Sequence, residues 1–441
     1  MQAGDRKGKV RTVQLIGLIF LTVSGGPYGL EPLLVYGGQH SALLLLIITP
    51  ILWDLPTIAA VLELNSMMPV QGGYYQWVKR ALGLRWGFYE GWWTWLYTFV
   101  DLAIYPILFV EYLGFFFPDI QHYKIPVCLC MIWLSTLLNI WGVVPVGKTA
   151  LILTILVIIP FLLIIIIALQ HHNPFYIPSL SFKGNTYSSI GMGIYTVMWN
   201  FIGWDNSTTY AEKVHRPIRT YLISMAWAFL IIWILYFMVV LISQNSGISS
   251  SELLNHGYPA LGIIIGGRWL GALIALGGMA SSLGLYAAVL LSVSRVPKVM
   301  ADDKLMPAIF NKLHPRFDTP YVSIISCSLV VSVMIFWSFS DLIIIDVTLY
   351  GAALILEYIS VLALRINAPH EKRAFKIPLP VWGLILVLIL PLSVYFIALS
   401  SALLGTGNTF KPVIFAIGCL LSAEIIWRII KWNRNRSVRC S

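Results

Sequence analysis

Carboxylic acids lie in or beside long apolar stretches of this chain, at Glu31, Asp54, Glu63, Asp101, Glu111, Asp205, Asp346 and Glu357, where lysine and arginine are almost absent. A carboxylate at the centre of a bilayer costs ~2.5–3.5 kcal/mol on insertion scales, so it faces a protein interior or a pathway. Burial disfavours the charged form of such a group, which then either holds a cation or takes up a proton. Acids without basic partners therefore imply a cationic ligand or a set of proton carriers.

Each acid also has a plainer reading. Glu31 falls in the first turn after a chain break, where a negative side chain complements a helix N-terminus without further role; the same position is where a ligand would sit, and we read it as functional. Asp205 serves equally as a ligand group or as a helix cap. Asp101 is the deeper of the Asp101–Glu111 pair and the better site candidate. Glu63 and Glu357 sit near span ends, where structural ion pairs or caps are common. Asp54, followed by Leu55-Pro56, is expected to satisfy backbone groups at a kink. The Trp92-Trp93-Trp95 cluster reads as packing or interface.

The elements that must position these acids are helices, two of them broken. The first apolar stretch, 13–36, contains Ser24-Gly25-Gly26-Pro27-Tyr28-Gly29 immediately before Leu30-Glu31. The sixth, from about Ser189, reaches Trp199-Asn200-Phe201-Ile202-Gly203-Trp204-Asp205 at a similar depth. Gly-Gly-Pro cannot continue an α-helix, and non-helical backbone at membrane depth survives only in a protein interior or a watered cavity. Paired interruptions at corresponding places point to the substrate site of a secondary transporter. The composition, 58% hydrophobic and 11% charged, belongs to a membrane protein. Further spans are expected at 41–66, 86–117, 125–144, 146–170, 218–243, 268–294, 320–338, 341–365, 380–403 and 411–431, each near the ~20 apolar residues a bilayer requires. The expected fold is all-α and integral to the membrane, with twelve transmembrane helices, the first and sixth discontinuous. No cleavable signal peptide is expected.

The net charge of +10 sets topology rather than a nucleic-acid surface. Among lysines and arginines, only Lys124, Lys183, Arg268 and Lys411 fall in odd-numbered connections, which places both termini in the cytoplasm of a multi-pass protein of the cell membrane. Cys128, Cys130, Cys327, Cys419 and Cys440 have neither zinc spacing nor a disulfide framework. The eight histidines lie in connections or at span ends. No metal, cofactor, enzyme activity or obligate protein partner is therefore expected, and Asn206-Ser207-Thr208 lies inside a span, where it cannot be glycosylated.

The organisation is five plus five. A cytoplasmic N-terminus (1–12) precedes a first repeat (13–170) and a second, inverted repeat (189–365), each opening with a broken helix; two more helices (380–431) and a cytoplasmic tail (432–441) follow. Pro69 to Arg80 and Val296 to Thr319 read as short helices on the cytoplasmic side, interfacial or gating.

These residues carry a resemblance. Ser24 through Glu31, Trp53 to Pro56, Gly72-Gly73-Tyr74, Asp101 with Tyr105-Pro106 and Glu111-Tyr112, and Trp199-Asn200 with Trp204-Asp205 and Glu212 are similar to the amino acid–polyamine–organocation superfamily. Within it the chain most resembles the polyamine uptake transporters of plants and protists and their prokaryotic relatives. The resemblance implies uptake of an organic amine or amino acid, driven by protons, through alternating access. It implies backbone N–H groups from the first break, and carbonyls and aromatic rings from the sixth, around the substrate. Two departures stand out: Ser281 to Ser294 has no acid where plant members do, and Gly203 replaces an aromatic.

The expected function is thus a proton-coupled symporter for a polyamine or cationic amino acid. Its substrate residues would be Ser24, Gly25, Gly26, Tyr28, Gly29, Glu31, Asp101, Trp199, Asn200, Trp204 and Asp205, with Glu31, Asp101 and Asp205 as proton carriers. Gly25 and Gly26 are expected to present donors suited to a carboxylate, and the acids and Trp204 to receive an ammonium. A neutral amino acid permease or exchanger is the alternative. A non-transporting nutrient sensor is a second, disfavoured by the short tails.

Overall fold

The structure, a computed structural model, describes residues 10–171, 176–178, 180–404 and 410–439. Most of the expected N-terminal tail, His172 and Cys440 lie outside the described residues. Regular structure among the described residues is helical, apart from two isolated bridges, Val10–Val214 and Gln71–Tyr210.

Helix α1 (Thr12–Val23) stops at the Ser-Gly-Gly-Pro run, and α2 (Glu31–Thr49) begins after it. Between them Gly25, Gly26 and Gly29 take φ of 60°, 96° and 85°, a left-handed backbone that side chains strain to adopt, and Pro27 has no N–H to give. A turn at Gly38 divides α2, and a π-helical stretch, Pro50–Asp54, leads into α3 (Leu55–Met67). Next come α4 (Gly73–Leu82), α5 (Leu84–Leu113), α6 (Lys124–Trp141) and α7 (Val143–His171). The chain continues through α8 (Tyr187–Trp199), the second break, α9 (Pro217–Asn245), α10 (Ser250–Gly266), α11 (Arg268–Val293) and α12 (Arg295–Asp302). It ends with α13 (Tyr321–Met334), α14 (Phe339–Asn367), α15 (Val381–Leu404) and α16 (Phe410–Arg439).

Among the described residues, nine helical runs are long and apolar enough to cross a membrane, and α1 and α13 are shorter apolar helices. On α7, Ile152, Ile155, Ile159, Leu162, Ile166 and Leu169 form an exposed stripe at helical spacing. An uncovered apolar face of that length suits lipid, not water. By contrast α5 is buried through most of its length, between α11 and α14.

The second break differs from expectation. No α-helical second half follows it; the chain makes two 3₁₀ turns, Asn206–Thr209 and Ala211–Lys213. Here the short polar side chains bond back to nearby carbonyls, Thr208 Oγ1 to Asp205 O at 2.6 Å and Thr209 Oγ1 to Asn206 O at 3.0 Å, which competes with α-helix formation. The expected helix over 296–319 also stops early: α12 ends at Asp302 and only a 3₁₀ turn, Ala308–Asn311, follows Pro307. Sequence patterning overlooked α10, whose Gly257 (φ 62°) and Pro259 interrupt it.

Helices α4 and α10 each lean on a break in the other half of the chain. A Cβ at Gly73 would meet Thr208 at 2.4 Å, and one at Gly257 would lie 3.3 Å from the Glu31 carboxylate. At the α4 end the bundle is sealed. Tyr75 Oη and Lys79 Nζ donate to Asp303 at 2.5 and 2.6 Å, and Arg80 pairs with Glu371 at 2.6 Å. Burial and the Asp303 carboxylate push the Tyr75 phenol up, so it remains a donor.

Candidate functional site

A cavity of about 970 Å3 enters the bundle beside α10 and ends at the first break. Gly29, Glu31, Glu111, Tyr112, Gly257 and Phe339 are among its walls. Glu31 sits in the first turn of α2, 6% exposed. Its carboxylate accepts from Gly29 N at 2.7 Å and from Tyr112 Oη at 2.8 Å. It thus occupies both the helix-terminus position and the cavity floor. Glu111, ten residues past Asp101, stands exposed on the cavity wall.

The donors expected from the first break are already used. Gly25 N donates to Phe20 O at 2.9 Å, Gly26 N to Ser24 Oγ at 2.9 Å, and Gly29 N to Glu31. This corrects the picture of free N–H groups at Gly25 and Gly26. The φ values and close neighbours (Leu285 at Gly25, Val157 at Gly26) turn the backbone inward to bond itself. Tyr28 is also committed elsewhere: its hydroxyl donates to Ile274 O at 2.7 Å and its ring packs on Tyr112 and Phe161.

The two breaks are joined directly. Asn200 Nδ2 donates to Gly29 O at 3.3 Å and Thr196 O at 2.8 Å, while its Oδ1 has no partner. Trp199 lies across Gly29, where a Cβ would come within 2.5 Å of the indole, and packs edge-on to Phe339. From α9, Tyr236 Oη reaches Ser24 Oγ at 2.6 Å and the carbonyls of Gly26 and Asn200 at 2.9 and 3.3 Å. Nothing in the sequence marked Tyr236, because its neighbours belong to segments far away in the chain.

Gly29 gives a sharp test. Gly29→Ala combines a strained φ with a clash against a large ring, whereas Gly38→Ala has a similar φ of 59° and nothing within 4 Å of the new Cβ. Uptake by Gly29→Ala is expected to fall roughly tenfold or more, for which ~1.4 kcal/mol suffices, while Gly38→Ala keeps most of its activity. Equal uptake by the two variants in proteoliposomes would show that the Trp199–Gly29 contact is dispensable.

Behind this layer lies an acidic seam. Asp101 (4% exposed) accepts from Tyr105 Oη at 2.5 Å, with Trp199 also beside it. Opposite, on α14, Asp346 is fully buried and neither carboxylate oxygen has a hydrogen-bond partner. Asp205 accepts from Tyr350 Oη at 2.8 Å and adjoins Glu357. Its carboxylate meets Tyr350 and Glu357, and no side-chain bond from it caps the 3₁₀ turn that follows. Glu357 lies beside Asp205 and Glu90 rather than in an ion pair or cap, which corrects its expected role. Glu90 carried no signal of its own in the sequence, since it lies two residues before the Trp92-Trp93-Trp95 cluster, whose character is packing.

On α5 Glu90 and Asp101 are eleven residues apart, as are Asp346 and Glu357 on α14. Eleven residues bring a helix back to within ~20° of its starting direction after ~16 Å. Each helix therefore shows both acids to the other, antiparallel, with Glu90 opposite Glu357 and Asp101 opposite Asp346. None of these acids has an ion-pair partner among the described residues.

Other expectations resolve individually. Asp54 accepts from Trp204 Nε1 at 3.0 Å, tying the π turn to the second break instead of satisfying its own kink. Trp204 packs on Phe229 and is buried away from the cavity. Glu63 forms the expected buried ion pair, with Arg365. Trp92 and Trp93 donate to Ser422 Oγ and Leu420 O on α16, as packing residues. Asn206 is 2% exposed, so the glycosylation pattern is closed off.

Residues 11–427 match the family described as amino acid permease. A polyamine transporter of Arabidopsis thaliana is 32% identical over 388 residues, covering 87% of this chain and 78% of its own. A polyamine transporter of Oryza sativa subsp. japonica is 29% identical over 449 residues, covering 99% and 82%. A serine/threonine exchanger of Bacillus subtilis is 23% identical over 387 residues, covering 82% and 86%.

Proposed function

The chain belongs to the amino acid permease family, and from that premise we propose that it is a proton-coupled symporter for a small organic amine, a polyamine or cationic amino acid. As a family member it is a multi-pass membrane transporter and not an enzyme. The observation that carries the amine is the pair Asp101 and Asp346, buried behind the joined breaks without a basic partner. Two carboxylates so placed attract an ammonium or keep a proton. The engaged N–H groups of Gly25, Gly26 and Gly29 add support, since an α-carboxylate finds no free donor at those three positions.

In this reading the amine enters the cavity past Glu111, meets Glu31 and Gly29, and passes between Trp199 and Asp101 as the breaks rearrange. Ser24, Gly25, Gly26, Tyr28, Asn200, Trp204 and Asp205 shape the pathway around it. Glu31, Asp101 and Asp205 exchange protons, and each end opens in turn. Twelve spans and a five-plus-five inverted repeat, 13–170 and 189–365, fit the helix order. Helix α4 follows the second span and α10 the seventh, and each leans on the other half's break, as inverted repeats would place them. Helices 380–431 stand outside the repeat. The steep bias of lysine and arginine supports cytoplasmic termini at the cell membrane, with no obligate protein partner.

The likeness to a serine/threonine exchanger favours a second reading, a neutral amino acid permease or exchanger. A competition panel in proteoliposomes separates them. Putrescine or spermidine is expected to displace bound substrate better than leucine or alanine, and Asp101→Asn to weaken the diamine more than the neutral amino acid. External acidification should accelerate uptake, and choline in place of sodium should change nothing. Better displacement by leucine or alanine hands the site to the neutral permease, and strict sodium dependence removes the proton.

A further inference from the structure

We infer that Glu90 and Glu357, covered by Tyr74, form a proton-carrying site separate from the amine cavity and opened by movement of α4. The inference rests on the proton-coupled reading above and adds to it two groups beside Asp205, outside the amine cavity, through which the proton leaves. Both glutamates are 1% exposed, and each has one carboxylate oxygen, Oε2, with no hydrogen-bond partner. The Tyr74 hydroxyl, on another helix and fully buried, is also unpartnered and lies within electrostatic reach of Glu90, Glu357 and Asp205. Three orphaned polar atoms from three helices thus gather beside the second break. Buried polar groups are normally satisfied, and an uncompensated cluster of this kind marks a place where something binds.

The occupant is a proton. Among the described residues no group of acids is placed to hold a metal ion. Neither glutamate lines the cavity at Glu31, and Tyr74, Tyr97, Tyr350 and Tyr358 are themselves buried. The groups facing the pair are Tyr74 from α4, Thr94 from α5, Asp205 from the second break, and Tyr350 and Tyr358 from α14, with Tyr97 beyond them against Asp205 and Asp54 against Tyr358. Basic groups on the surrounding elements are engaged elsewhere: Lys79 with Asp303, Arg80 with Glu371, Arg85 with Glu424, Arg365 with Glu63, and Arg295 over Tyr210. A proton held on one of these neighbouring carboxyls serves as the donor to the next.

Helix α4 provides the gate. It is held on the second break by the Gln71–Tyr210 bridge and by Gly73 against Thr208, and at the sealed end by the Tyr75 and Lys79 bonds to Asp303. Opening that end breaks those contacts, lifts Tyr74 from the glutamates and admits water. The Glu357 carboxylic acid then gives its proton to that water, leaving carboxylate and hydronium. Tyr74 reseats over Glu357 once the adjoining Asp205, loaded with a proton while the opposite end was open, has passed that proton to it. The proton therefore travels with the conformational cycle rather than with the amine.

Glu90→Gln and Glu357→Gln keep side-chain shape and remove the titrating group. The probe is whichever of radiolabelled putrescine, spermidine or leucine the wild type exchanges in proteoliposomes. Each variant is expected to retain exchange within about threefold of wild type, a shift of ~0.65 kcal/mol. Each should lose accumulation driven by a pH gradient, together with the lumenal acidification that accompanies it. A variant that still accumulates substrate and acidifies the lumen overturns the site, as does parallel loss of exchange and accumulation in folded protein. Wild-type accumulation without proton movement overturns the coupled reading itself, and this site with it. Carbodiimide labelling of the wild type, read by peptide mass spectrometry, needs no variant to fold: modification of Glu90 or Glu357 is expected, and none at either overturns the assignment.

Discussion

Glu31→Gln is expected to fold, reach the membrane and bind in the cavity, yet fail to concentrate substrate. The glutamine keeps the length of the side chain and one oxygen for either Gly29 N or Tyr112 Oη. Its amide nitrogen must then face a remaining donor, and the negative charge at the start of α2 is gone. A hydrogen bond to a charged group contributes about 1.5–3 kcal/mol, and a carboxylate beside a helix N-terminus adds a few tenths to about 1 kcal/mol. Stability therefore falls modestly, while the cation-attracting and proton-exchanging group at the cavity floor is removed outright. Concentrative uptake in proteoliposomes is expected to drop to background, with a small change in thermal unfolding. Normal accumulation by Glu31→Gln would leave Glu31 as a helix-terminus partner alone.

The largest stability effect is expected at Glu63. Its carboxylate takes a two-pronged contact from Arg365, through Nε and through Nη2 at 2.6 Å to Oε2, and also accepts from Ile377 N at 2.9 Å. Arg373 Nε lies 3.4 Å away, and these side chains are at most 5% exposed. Glu63→Ala leaves two buried guanidinium groups facing each other without an anion. Removing one partner of a buried pair typically costs ~3–5 kcal/mol, enough to deplete folded protein. Glu63→Leu combined with Arg365→Met should recover part of the loss, because no uncompensated charge from that pair remains. Fluorescence-detected size exclusion after heating reads both effects. An unchanged melting profile for Glu63→Ala would mean that water or a neighbouring group already compensates Arg365.

These two acids illustrate how alike carboxylates in one sequence become unlike in a fold. Glu63 meets arginines and is structural; Glu31 meets a backbone N–H and a phenol and faces a cavity. In advance they were separable only by the place of Glu31 beside a break and of Glu63 near a span end. Glu357 was grouped with Glu63 on the same criterion, and the structure places it with Glu90 and Asp205 instead.

The sequence by itself determined the helical, membrane-embedded character of the chain and the two places where the first and sixth spans are interrupted. Those features are local: apolar runs of membrane length, and Ser24 to Gly29, whose glycines and proline cannot propagate a helix whatever surrounds them. The position of Glu31 beside a break inside an apolar run was also legible, and the structure sets it on the wall of the cavity. Only the tertiary structure decided which groups meet. Tyr236 stapling both breaks, Asp54 receiving the Trp204 N–H, α10 closing over Glu31 and the Glu90–Glu357 pair all join segments distant in sequence. The same holds for the donors of Gly25 and Gly26, which looked available along the chain and are consumed by Phe20 and Ser24 once the backbone turns. Helix breaks follow from steric and hydrogen-bonding limits within a few residues, whereas the partner of a buried polar group depends on how whole helices pack.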